Sequence, residues 1–109
     1  MDEKSQLLAN LKEFLGSAKS ELATGNYNSA TTLYFKALAT HGTLLVLGRY
    51  GVTPKDHEER FRYLELIDKK LVDLMKNVFS VYRRSYNLRL SKKEAEGVAK
   101  EVENAISGT

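Results

Sequence analysis

The densest run of chemistry-bearing side chains lies between Tyr82 and Lys93, where Arg83, Arg84, Arg89, Lys92 and Lys93 occur with no Asp or Glu among them. Guanidinium groups suit one task above others, the two-pronged binding of phosphate or of a carboxylate on a partner chain. Tyr82 and Tyr86 stand four residues apart in the same stretch and continue an apolar stripe from Met75 and Phe79, with Arg83 and Arg84 flanking it. Their rings read first as core and only second as stacking surface. A histidine, His57, follows the turn Thr53-Pro54-Lys55-Asp56 at the start of a helix. There the amide dipoles disfavour its protonated form and suit a neutral, hydrogen-bonding role, the simplest being to tie the turn to the rest of the fold. Arg83, Arg84, Tyr86 and His57 are the candidate ligand-binding residues.

Catalytic constellations are missing. The chain has no cysteine, and its two histidines, His41 and His57, lack the HExxH or H-x-E spacing of a metal site. His41 falls on the apolar stripe of a helix and reads as a core histidine. Gly48-Arg49-Tyr50-Gly51 has no following lysine and no preceding strand, so it is a helix end rather than a phosphate loop. Serines are scattered without a partner histidine, and Glu58 and Glu59 fall on a solvent face. The sequence predicts no catalytic residue, no metal and no cofactor, hence a protein that binds rather than an enzyme.

The elements that must position these residues are helices. Leu7, Leu8, Leu11, Phe14, Leu15, Ala18 and Leu22 repeat with helical period from a start near Asp2 to a stop at Gly25. A second helix carries Tyr27, Ala30, Leu33, Tyr34, Ala37, Leu38, His41, Leu44 and Leu45 and ends between Gly48 and Gly51. Gly42 inside it predicts close packing by another helix, since glycine costs about 1 kcal/mol there against alanine. Thr53 then reads as an N-cap with Pro54 at the first helical position. The stripe that follows runs through Phe61, Leu64, Ile67, Leu71, Leu74, Met75, Val78, Phe79 and Tyr82 to about Asn87 without a breaker. Unbroken it would be a rod of ~50 Å, too long for a chain of this size. A bend is therefore placed between Leu66 and Lys69, with Asp68 capping a new helix. Ser91 and Glu94 have capping-box spacing ahead of Ala95, Val98, Val102 and Ile106. The fold class is all-α, an up-and-down bundle of four to five helices over residues 1–109. Its two longest helices are expected to be the second and the fourth, and Tyr34, Leu38, Leu45, Leu71, Met75 and Phe79 are expected in its core.

With 109 residues and a net charge of +3, the chain can bury a core without staples and is too mildly basic overall to argue for nucleic acid or membrane. The N-terminal segment MDEKSQLLANLKEFL lacks the basic and apolar regions of a signal peptide, and no stretch approaches the length of a membrane span. A cytoplasmic protein is expected.

The order of these features resembles the HEPN superfamily of small helical nucleotide-binding domains, especially its short stand-alone prokaryotic members. The resemblance covers residues 5–106 and rests on Gly25-Asn26-Tyr27-Asn28-Ser29-Ala30 leading into Leu33-Tyr34-Phe35, on Leu44-Leu45, on the Gly51 to His57 turn, and on Tyr82-Arg83-Arg84-Ser85-Tyr86 before the last helix. It implies a homodimer paired through the arginine-bearing helix, a small nucleotidyltransferase as partner in a toxin–antitoxin-like arrangement, and a nucleotide or RNA ligand. Many members cleave RNA through an arginine followed four to six residues later by histidine. Here Leu88, Arg89, Leu90 and Ser91 occupy those positions, and no histidine follows His57. The motif is degenerate, so the resemblance implies binding in preference to a ribonuclease toxin. The segment Gly25-Asn26-Tyr27 with Ala30, Tyr34 and Ala37 also resembles half of a tetratricopeptide-type unit, the alternative being a single peptide-binding helical module. No second repeat is present to support a solenoid.

Overall fold

Asp2 opens the first helix by accepting the Ser5 amide at 2.7 Å. In the computed structural model, which describes residues 2–108, five helices follow: α1 (Glu3–Ala23), α2 (Tyr27–Tyr50), α3 (His57–Glu65), α4 (Lys69–Arg84) and α5 (Lys92–Ser107). No strand occurs among the described residues. The fold is an all-α bundle.

α2 is its axis, touching each of the other four helices. The reason lies in its composition: Ala30, Thr31, Ala37, Ala39, Gly42 and Thr43 are small enough for neighbours to approach closely, while Tyr34, Phe35, Leu38 and Val46 fill the space between them. α1 reaches α2 through a tight reversal. Gly25 adopts φ +82° there, its amide bonds Leu22 O, and the Asn26 amide bonds Glu21 O at 2.9 Å, the paired bonds of a Schellman stop that favours glycine. Tyr34 is fully buried and donates its hydroxyl to the Glu103 carboxylate at 2.6 Å, fastening α2 to α5. Burial and the adjacent carboxylate both push that phenol well above its ordinary range.

The bend falls where chain length demands it. α3 stops at Glu65, and Asp68 accepts the Leu71 amide at 3.1 Å to begin α4. The longest dimension of the molecule is 38 Å, which an unbroken rod would overrun. Gly42 lies at the corner so formed. A Cβ there would sit 2.9 Å from Leu64 Cδ1 and 3.4 Å from both Arg60 Cδ and Met75 Cε, so α3 and α4 close on α2 at this residue. The Ser91–Glu94 capping box of α5 is complete in both directions.

Four expectations need correction. The cap of α3 is Asp56, whose carboxylate accepts the Glu59 amide at 2.8 Å, and not Thr53. Thr53 and Pro54 stay in the preceding loop, where Thr53 Oγ1 donates to Glu3 at 3.4 Å. α4 ends at Arg84, short of Asn87, because successive i→i−3 bonds from Tyr86 and Asn87 fold the chain over. The two longest helices are consequently α1 and α2, with 21 and 24 residues against 16 in α4. Leu45 and Phe79 are half-buried and pack on the core from its rim, whereas Tyr34, Leu38, Leu71 and Met75 lie inside it.

Candidate functional site

Four of the rings that decide the site come from three helices. Phe35 of α2 stacks on Tyr82 of α4 with centroids 4.9 Å apart and planes at 16°. His57 at the start of α3 packs against Phe35 at 5.3 Å and against Phe79 at 5.6 Å. Tyr82 continues the row to Tyr86, whose ring meets it edge-on at 5.3 Å with the two hydroxyls 2.8 Å apart. That bond raises the Tyr82 phenol above its ordinary range. Arg83 lays its guanidinium 5.8 Å from the Phe79 centroid. Three of the four expected residues, His57, Arg83 and Tyr86, thus belong to one connected row of rings. Tyr86 is the outermost, 69 % exposed, and is surface rather than core.

The fourth, Arg84, turns the other way. Its Nη2 donates to Glu94 of α5 at 2.7 Å. The Ser91 cap, and after it the Arg84 guanidinium, hold the Glu94 carboxyl below its usual range. Arg84 nevertheless borders an open groove of about 590 Å³ along α4, with Lys76, Phe79, Arg83, Asn87 and Leu88. No carboxylate lines this groove, which is what a phosphate-bearing ligand requires.

Behind the ring row lies a second cleft of similar size, about 590 Å³, walled by α1, α2, the loop before α3, and Tyr82. Arg60 reaches into it from one turn beyond His57. Its Nε donates to Thr43 Oγ1 at 3.0 Å and its Nη1 to His57 Nδ1 at 2.7 Å, and it forms no ion pair among the described residues. Burial pulls its pKa down, with Asp56 opposing, yet a guanidinium stays charged at any ordinary pH. His57 is held below the usual histidine range by partial burial and then by the Arg60 charge, so it is neutral and accepts at Nδ1. His41 is buried and likewise lowered by burial, with Asp68 opposing.

Two residues that the sequence did not mark prove central. Arg60 is one: His57, Arg60, Phe61 and Leu64 share helical spacing, so its place on the inward stripe was available as a signal, but the neighbouring acids Glu58 and Glu59 suggested a solvated face. Asn28 is the other. Its side-chain amide donates to Ser85 O at 3.0 Å and Leu88 O at 2.8 Å, while its Oδ1 accepts the Leu90 amide at 2.9 Å. This clamp sets the turn that carries Tyr86 and Leu88, and no local pattern announces partners about sixty residues away. Among the described residues no three His, Cys, Asp or Glu side chains gather as a metal cluster, and no helix is long and apolar enough to cross a membrane.

No family model, curated protein or solved structure matches the chain.

Proposed function

We propose that the chain is a non-catalytic, HEPN-like binding module that holds a phosphate-bearing ligand, a nucleotide or RNA, in the groove along α4. The observation that carries this reading is the groove's lining, which brings Lys76, Arg83 and Arg84 together and includes no carboxylate. Lys76 pairs with Glu65 at 3.7 Å and Arg84 with Glu94, both near the surface. Such solvent-screened pairs contribute little, so phosphate oxygens compete with them on good terms. Arg83 forms no ion pair among the described residues and lies over the Phe79 ring, and the exposed Tyr86 offers a face on which a base can stack. Pairing of two copies through α4, and a small nucleotidyltransferase as the working partner, are proposed from the sequence resemblance. The exposed Tyr86 and Leu88 beside Arg83 supply apolar surface for the pairing.

The test is fluorescence anisotropy with a short 5′-labelled single-stranded RNA at low and moderate salt. Binding should weaken as salt rises, and the combined Lys76→Ala and Arg83→Ala variant should bind more weakly with a shallower salt dependence. Binding unaffected by that variant would refute the groove.

A further inference from the structure

We propose that the cleft behind the ring row is a second binding site, one for a small aromatic oxyanion: a planar ring bearing a phosphate or carboxylate head. The inference does not depend on the α4 groove, since neither Arg83 nor Arg84 lines this cleft.

Arg60 carries the argument. A guanidinium presents five N–H donors in a fixed fork. Nε is taken by Thr43 and one Nη1 hydrogen by His57, which fixes the plane of the group and leaves its other N–H groups for something else. It is half-buried and, unlike Arg62 and Arg84, forms no ion pair among the described residues, Asp56 acting on it only through longer-range attraction. A charge drawn partly out of water without a paired counterion is destabilising. A bound anion would remove that deficit, and the cleft opens onto it. Both groups that position the fork are neutral, so neither spends the charge. His57 accepts through Nδ1 and therefore keeps an Nε2–H donor on the same cleft wall.

The rest of the lining says what the anion is attached to. Lys36 adds a second cation, its Nζ 5.8 Å from the Phe14 ring centroid. Glu3 is the one carboxylate, engaged by Thr53 at the loop, so the wall carries two cations against one acid. Phe14 and Tyr82 supply aromatic surface, with the edge of the buried Phe35 between them, which suits a planar ring and does nothing for a bare inorganic ion. Thr40 adds a hydroxyl. The head group belongs at Arg60 and Lys36, and the ring against the aromatic wall.

The measurement is calorimetric titration of the full chain with phenyl phosphate, benzoate and inorganic phosphate. Phenyl phosphate or benzoate should bind, and whichever is tighter identifies the head group. Inorganic phosphate should bind at least about tenfold more weakly than the better of the two, the contribution of one buried ring. Arg60→Met, which keeps the apolar stem, should weaken binding about tenfold or more, while the thermal melt stays cooperative, relief of the unpaired half-buried charge offsetting the loss of its bonds to Thr43 and His57. Thr43→Val, which only frees the fork, should show a smaller loss, and Arg49→Ala, exposed at the end of α2 and outside both clefts, none. On the wild-type protein, phenylglyoxal modification mapped by mass spectrometry should show Arg60 protected by the bound ligand and the exposed Arg49 unprotected, a readout that does not rely on any variant folding. No binding of either aromatic anion at millimolar concentration, equal binding of inorganic phosphate, or binding and protection that ignore Arg60 would each overturn the site. Loss of RNA binding in the Arg83 variant with phenyl phosphate binding intact would separate the two sites.

Discussion

Nη1 of Arg60 donates to Nδ1 of His57 across 2.7 Å, one turn away on α3. The contact joins the only histidine on the cleft wall to its best-placed cation, and it requires the imidazole to be unprotonated at Nδ1.

Stability should therefore depend on pH in a defined direction. The folded pKa of His57 lies below the ordinary 6.5, through burial first and the Arg60 charge second. On acidification the unfolded chain takes up its proton first. The contribution is complete above about pH 6.5 and is lost as pH falls through that value toward the lower folded pKa. His41, lowered by burial, acts in the same sense. Thermal melts from neutral pH into the acid range should show a declining midpoint, and His57→Gln should lessen the decline, leaving the share of His41. A midpoint as steep in the variant as in the wild type would show that His57 takes no part.

Gly42→Ala should destabilise the bundle. Leu64 Cδ1 would lie 2.9 Å from the new methyl and must shift, while Met75 Cε would sit at 3.4 Å; both side chains are buried, so the shift is made against the packed faces of α3 and α4. Overpacking costs about 1–3 kcal/mol, against about 1 kcal/mol of improved helix propensity. A net loss of about 1 kcal/mol is expected in urea unfolding. A raised midpoint would mean that the corner yields.

Asn28→Ala should cost about 2 kcal/mol, because two carbonyls and one amide lose their partner together. Asn28→Asp should do no better: it keeps an acceptor for Leu90 but sets a carboxylate against the oxygens of Ser85 and Leu88. Urea midpoints of the two variants check both statements, and a wild-type value for Asn28→Asp would contradict the assigned donor.

The arginine segment provides a test of assembly. In sedimentation the wild-type chain should form a dimer that a short RNA or a nucleotide tightens, since two copies of the segment repel until an anion, or acids such as Glu58, Glu59 or Asp73, neutralise them. Arg83→Ala combined with Arg84→Ala should abolish the tightening. A wild-type monomer at all concentrations would remove the dimer, and tightening that survives in the double variant would remove the arginines from it.

The helices were legible because their determinants are local. Apolar spacing, Gly25 and the Ser91–Glu94 box act within a few residues, and the break at Asp68 followed from the length of the stripe set against the size of the chain. Thr53 was misread because a Thr-Pro start has the right residue types, and only the geometry shows that Asp56, adjacent to α3, wins the cap. The site was less legible. Arg83 and Arg84 are neighbours in sequence, yet Arg83 lies over Phe79 of its own helix while Arg84 reaches across to α5, and Glu94, which holds Arg84, belongs to an element whose approach no periodicity specifies. Arg60 hid among Glu58, Glu59 and Arg62, where charge alone suggested solvent, although Phe61 and Leu64 marked its face as inward.

The Asn28 clamp has a consequence for motion. The Leu90 amide lies before α5 begins, yet its acceptor is a side chain 62 positions earlier in the chain. Fraying of α5 alone cannot expose that hydrogen; the turn must lift from the foot of α2. In deuterated water the exchange rate of this one amide therefore reports release of the turn between α4 and α5 from α2. The same event would carry Tyr86 and Leu88 away from α2, making Leu90 a clock for the turn that carries those exposed side chains.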